Sequence, residues 1–267
     1  MSSHASFSGS VPEIYNRLLG PVLFEPYARD LVARLDRRDG VRVLEVACGT
    51  GIVTRRLREE LPQTSTLVAT DLNEPMLDEA RQNVPLLDIT WQTADAQELP
   101  FPDGSFDAYV CQFGLMFLSD KVRGFGEARR VLAPGGQLLA NVWLSGADNE
   151  HVPVIQSVLD RLFPDSPPTF LDVPHGYHDF DRIRADLEAA GWSDAMLDTV
   201  RISAESPTAL DFATGFAAGS PLAHELVSRD ADPNEVAQEM AEGLAAVGGS
   251  EPYRVELGAI VISAARA

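Results

Sequence analysis

The run Val43-Leu-Glu-Val-Ala-Cys-Gly-Thr-Gly51 decides how this chain folds. Val41–Ala47 is a β-rich run apolar enough to be buried, and Cys48-Gly-Thr-Gly51 turns it into a helical stretch that ends near Leu61. Glycines at 49 and 51 let the backbone bend tightly and leave no side chain between it and a ligand. Working outward, the same grammar repeats. Leu67–Asp71 reads as a strand, Glu74–Asn83 as a helix, Asp88–Thr93 and Phe106–Gln112 as strands, Lys121–Leu132 as a helix, and Gln137–Leu144 as a strand after the Pro134-Gly-Gly turn. Alternation at this spacing predicts βαβ units, hence an α/β fold with a mostly parallel sheet covered by helices on both faces. In such a doubly wound sheet ligands bind beyond the carboxyl ends of the strands, where strand order reverses, which is where the glycine turn falls.

Beyond Ser145 the pattern changes. Prolines crowd 153–174, Asp181–Ala190 reads as an amphipathic helix closed by Gly191, Trp192–Ser203 as a strand, 207–249 as helical, and Tyr253–Ala264 as a last β-rich run. Two late strands separated by a helical insertion suggest an antiparallel pair at the sheet edge. The expected organisation is an N-terminal helical cap over 1–40, a binding core over 41–145, and residues 146–267 completing the sheet with helical, lid-like insertions.

The charge excludes partners. The 267 residues hold 21 basic and 40 acidic side chains, a formal charge of −19. Affinity for a phosphate backbone comes mainly from Lys and Arg releasing counterions, so no nucleic-acid partner is expected. Residues 1–145 carry −5 and 146–267 carry −14, and Lys121 is the only lysine. No apolar run approaches the roughly 20 residues needed to span a bilayer. The first residues lack the basic and apolar regions of a signal peptide, so a cytoplasmic protein is expected. Cys48 and Cys111 are too few for a disulfide framework or a cysteine-based zinc site.

Three acids accompany the glycine turn. Glu45 lies within the first strand, Asp71 closes the second, and Asp95 follows the third in Thr93-Ala-Asp-Ala. Asp71 can accept hydrogen bonds from ribose hydroxyls and Asp95 from an exocyclic amine. Each also has a bland reading, as a helix cap.

These segments resemble the class I methyltransferases that use S-adenosylmethionine. The resemblance runs through VLEVACGTG (43–51), VATDLNEPML (68–77), TADAQELPFPDGSFDAYVCQFGLMFL (93–118) and EARRVLAPGGQLLANVW (127–143), and is strongest to the branch with the ubiquinone and menaquinone C-methyltransferases. It implies a Rossmann-like sheet with an antiparallel last strand and S-adenosyl-L-methionine as cofactor. Residue by residue, it puts Glu45, Ala47, Gly49 and Gly51 around the methionine portion and Asp71 on the ribose. Leu72 and Met76 would pack on the adenine, Asp95 with Ala96 would read its edge, and Gln112 with Phe113 would close the methionine side and face the acceptor. Ala47 departs from the glycine common at its position. An N-terminal helix over Val11–Leu19 would cover the cofactor and offer Tyr15 as a contact.

Methyl transfer needs alignment and exclusion of water more than a dedicated catalytic group, because the methyl of a sulfonium is already activated. No catalytic residue is therefore assigned. His151, after the fifth strand, and Tyr15 are the candidates. His175 and His178 could converge on a metal, but no third ligand at regular spacing accompanies them except Asp172 or Asp179 nearby, and no metal is expected. The expected partner is a small-molecule acceptor, with the chain a monomer or homodimer. Two other classes stay open: a cofactor-binding module without turnover, and a nicotinamide-dependent oxidoreductase, against which Gly49-x-Gly51-x-x-Thr54 lacks the third glycine. No N-P-P-Y stands after the fourth strand, where Cys111-Gln-Phe-Gly is found, and the cysteines of an arsenite methyltransferase are missing.

Overall fold

A computed structural model describes residues 11–85 and 88–267, so the first ten residues of the expected N-terminal cap lie outside the described residues. In chain order the elements are α1 (Val11–Ile14), a π-helical stretch (Tyr15–Phe24), α2 (Glu25–Ala33), β1 (Arg42–Val46), α3 (Ile52–Glu60), β2 (Thr66–Asp71), α4 (Glu74–Asn83), β3 (Ile89–Thr93) and β4 (Phe106–Gln112). A 3-10 turn (Leu115–Phe117), α5 (Lys121–Val131), β5 (Leu132–Trp143), α6 (His151–Leu162), α7 (Phe180–Ala189), β6 (Met196–Ser206), α8 (Ala209–Gly219), α9 (Leu222–Val227), α10 (Pro233–Gly248) and β7 (Tyr253–Ala265) follow.

The seven strands form one sheet in the order β3-β2-β1-β4-β5-β7-β6. β1 pairs in parallel with β2 on one side and β4 on the other, so strand order reverses at β1, as its sequence position predicted. β7 runs antiparallel to β5, with Asn141 opposite Val261, which is the reversed last strand the resemblance implied. The two late strands are neighbours at one edge of the sheet, as expected, with β7 beside β5 and β6 outermost.

The chain divides into two units. The sheet unit comprises Tyr27–Trp143, Tyr177–Val200 and Ala259–Ala267. In it Val43, Leu67, Ala69, Ala108 and Val110 of the strands pack with Leu31 of α2, Leu57 of α3 and Leu77 of α4. Each such valine or leucine taken from water contributes roughly 1.5–3 kcal/mol, which is why the strands read as near-continuous apolar runs. Helix starts follow local chemistry: α4 has Pro75 in its first turn, and the Asp120 carboxylate caps α5 by accepting from the Arg123 amide at 2.9 Å.

Of the described residues, the helical unit comprises Val11–Pro26, Leu144–Gly176 and Arg201–Gly258. Here α8 lies against the π-helical stretch so closely that a Cβ on Gly215 would stand 2.5 Å from Leu19. Asn149, fully buried, ties two segments of the unit together by donating to the Leu144 and Gly258 carbonyls and accepting from the Gly258 amide.

Candidate functional site

The end of β1 breaks local rules three times in five residues. Ala47, Gly49 and Gly51 all have positive φ, at 54°, 56° and 85°. The two glycines serve different ends. A Cβ on Gly51 would fall 2.9 Å from Val84 and 3.2 Å from Ala80, so this residue lets the β1–α3 turn approach α4. A Cβ on Gly49 would meet nothing within 4 Å, so there the left-handed backbone borders open space.

Two buried carboxylates converge on this turn. Asp71, 7% exposed, accepts from the Gly49 amide through Oδ2 at 2.9 Å and from the Asn73 amide through Oδ1 at 2.9 Å. Burial raises its pKa, and these amides pull it back. Glu45, 1% exposed, keeps one oxygen, Oε2, without a hydrogen-bond partner. Burial pushes its pKa up to about 8, opposed by Thr54 and reinforced by the Asp71 charge. No arginine or lysine neutralises either carboxylate among the described contacts that shift them.

The neighbouring strand ends supply the rest. Leu72 is 40% exposed, whereas Met76 is buried, so the two apolar residues expected on one ligand differ in environment. Asp95 accepts from the Gln97 amide at 2.8 Å, and Ala96 beside it is buried. After β4, whose last residue Gln112 is opposite Asn141 in β5, Phe113 has φ +51°. Its amide donates to the Asn141 side chain at 2.9 Å, and its ring stacks on Trp143 at 3.7 Å, with Tyr27 edge-on to both.

The helical unit holds the two residues weighed for catalysis. Tyr15 stacks on Phe24 at 4.7 Å. His151 is buried against Phe212 and Phe216, with Nδ1 unpartnered; burial pushes its pKa down to about 3, so at neutral pH it is uncharged. His175 is 6.3 Å from it, centroid to centroid, and bonds through Nδ1 to the Leu144 carbonyl. No group of three or more His, Cys, Asp or Glu able to hold a metal occurs among the described residues. Cys48 and Cys111 are free and buried, and burial raises both thiols, Cys111 to about 12.

Three participants escaped the sequence reading. Asn73 braces Asp71, Thr54 sits against Glu45, and Asn141 fixes the Phe113 backbone. Asn141 had a signal, as a lone amide inside the apolar run Leu138–Trp143, fully buried.

A seven-stranded sheet with β7 reversed, a strand-order switch at β1 and a glycine turn beyond it define the class I methyltransferase architecture. Residues 43–136 match the family model described as methyltransferase domain. It is 39% identical over 129 residues to the demethylmenaquinone methyltransferase of Deinococcus radiodurans, covering 48% of this chain and 53% of that one. Over 164 residues it is 33% identical to the ubiquinone/menaquinone biosynthesis C-methyltransferase of Paracoccus denitrificans, covering 59% and 64%. The chain thus spans roughly half to two thirds of such curated relatives. In fold it is similar to phosphoethanolamine N-methyltransferase 2 of Haemonchus contortus, solved with S-adenosyl-L-methionine, at TM-score 0.61, 15% identity, and coverage of 96% and 56%. No helix among the described residues is long and apolar enough to cross a membrane.

Proposed function

We propose that the chain is an S-adenosylmethionine-dependent methyltransferase acting on a small molecule. The carrying observation is the pair of buried, cation-free carboxylates at the open face of the Gly49 turn, one of them with an oxygen lacking any partner. A buried carboxylate with no cation beside it costs stability, so a site that keeps two suits a ligand bearing a positive charge and hydroxyl donors. The methionine ammonium and the ribose of S-adenosylmethionine have that chemistry, and the residues fit it.

Glu45 Oε2 would accept from the ammonium, with Ala47, Gly49 and Gly51 shaping the turn beside it. Asp71 would accept from the ribose hydroxyls with the lone pairs its two amide bonds leave free. Exposed Leu72 would cover the adenine, with Met76 supporting it from beneath, and Asp95 and Ala96 would meet its edge. Gln112 and Phe113 would border the methyl end. When bound, the cofactor supplies an electrophilic methyl on a sulfonium. The chain's residues bind, orient and exclude water, and such positioning is worth roughly 7–11 kcal/mol in well-aligned systems. The names of the curated relatives, demethylmenaquinone methyltransferase and ubiquinone/menaquinone biosynthesis C-methyltransferase, support a small-metabolite acceptor.

Calorimetric titration with S-adenosylhomocysteine and with NAD tests this reading. Saturable binding of the former is expected; binding of NAD alone would overturn it in favour of the oxidoreductase. Labelled S-adenosylmethionine incubated with a metabolite extract then separates turnover from mere binding, and transfer of label to a small molecule is expected.

A further inference from the structure

The single lysine of a chain with 20 arginines sits in an unusual place. Lys121 is the first residue of α5, where the helix dipole disfavours a cation. Its ammonium turns back instead. Nζ donates to the Leu118 carbonyl at 2.7 Å and to the Met116 carbonyl at 3.1 Å, the carbonyls of the 3-10 turn that follows β4. On its other side lies the Tyr177 ring, 5.2 Å from Nζ to the centroid. That ring is also faced by the Arg182 guanidinium at 5.7 Å, and its hydroxyl donates to Asp186 at 2.8 Å. Two cations thus lie against the Tyr177 ring, with Lys121 as the one that reaches the turn.

The same segment is tied to the loop after β3. Gln97 Oε1 accepts from the Ser119 hydroxyl at 2.9 Å and the Asp120 amide at 2.8 Å, while the Gln97 amide donates to Asp95. Two loops that carry Asp95–Ala96 and Gln112–Phe113 are thereby joined, and Lys121 closes the joint from below.

We propose that Lys121 is a positioning residue for cofactor binding, an ammonium clamp that fixes the turn after β4 and, through it, the Gln112–Phe113 wall of the site. The inference rests on the cofactor reading given above.

The test is calorimetric titration of S-adenosylhomocysteine into the wild-type protein, K121M and R58M. Arg58 is a structural control: it is buried and donates to the Leu61, Pro62 and Ser65 carbonyls before β2. K121M is expected to raise Kd about tenfold, as suits loss of charge-assisted bonds, whereas R58M lowers Tm but leaves Kd within twofold. A K121M Kd within twofold of wild type overturns the proposal; failure of the wild type to bind overturns the cofactor reading instead. Should K121M not fold, the wild-type protein labelled with 15N-lysine carries a single ammonium signal. That signal shifts on addition of S-adenosylhomocysteine if the clamp is coupled to the site, and an unmoved signal refutes it.

Discussion

Replacing Glu45 by glutamine should stabilise the unliganded protein at alkaline pH while weakening cofactor binding. The folded state holds the Glu45 carboxyl at a pKa of about 8, raised by burial from an ordinary 4.5. Between those values the folded state keeps a proton that the unfolded chain has released, so stability falls as pH rises from 4.5 to 8 and levels off above. The full shift corresponds to an upper limit of about 4 kcal/mol at pH 8. Glutamine removes this pH-dependent cost but adds an amide donor where Oε2 has no partner, costing about 1–2 kcal/mol. A net gain of roughly 2 kcal/mol at pH 8 remains, a Tm rise of about 4–6 °C for a chain of this size. At pH 5 the order inverts, because there the wild-type carboxyl is protonated without large cost. Thermal unfolding followed by near-UV circular dichroism from pH 5 to 9 reads both limbs. Cofactor binding that ionises Glu45 must also release close to one proton near pH 7, visible as a buffer-dependent enthalpy in phosphate against Tris. A Tm difference between E45Q and wild type that does not change with pH would refute the reasoning.

Asp71→Ala should weaken S-adenosylhomocysteine binding about 100-fold, since it would remove the two charge-assisted bonds proposed to the ribose along with the anchor of the Gly49 amide; calorimetry showing less than a threefold change would remove Asp71 from the site. Ala47→Gly should gain about 1 kcal/mol by relieving a left-handed alanine, read from urea unfolding. Gly114→Ala should cost about 1–3 kcal/mol, because its Cβ would fall 2.5 Å from the Ala47 Cβ and 2.8 Å from Cys111 Sγ, and part of that loss should return in the A47G/G114A double variant. His151 has a folded pKa near 3 against 6.5 ordinarily, so the folded state loses stability as pH falls through that window. H151F should flatten this acid limb in a pH series of Tm, and an unchanged slope would show that His151 does not titrate there.

What could be read from the sequence followed from patterns that burial enforces. β4 and α4 coincide with the expected Phe106–Gln112 and Glu74–Asn83 because apolar runs and the Asn73-Glu-Pro start leave little choice. The exceptions have local causes. β5 begins at Leu132, before the Pro134-Gly-Gly turn, because Leu132 already pairs with Phe106 and the register shift between Phe106 and Ala108 absorbs the turn within the strand. Trp192 was expected in a strand, yet it closes α7, its amide donating to Leu187 and its indole to the Phe125 carbonyl, and β6 starts only at Met196. The N-terminal helix expected over Val11–Leu19 continues to Ala33 through a π-helical stretch that includes Pro21, a residue that ordinarily signals a stop.

Strain gives an indication of the site that does not depend on the motif. Among the described residues three other than glycine have positive φ: Ala47, Phe113 and Asp230. Two of these end adjacent strands, β1 and β4, on either side of the strand-order switch. Beside them lie Glu45 Oε2 and Asn141 Nδ2, buried polar atoms without partners. A left-handed non-glycine residue and an orphaned buried polar atom each cost on the order of 1–3 kcal/mol. Nothing in the packing of the sheet unit requires these costs at one place. A β4 end carrying glycine at 113, or a β1 carrying an apolar residue at 45, would fold more cheaply into the same sheet. Sequences accumulate such conflicts where function opposes local preference. The clustering therefore supports the proposed working face at the carboxyl ends of β1 and β4, and the stability gain expected for E45Q and A47G, if accompanied by lost cofactor affinity, measures what that face costs the fold.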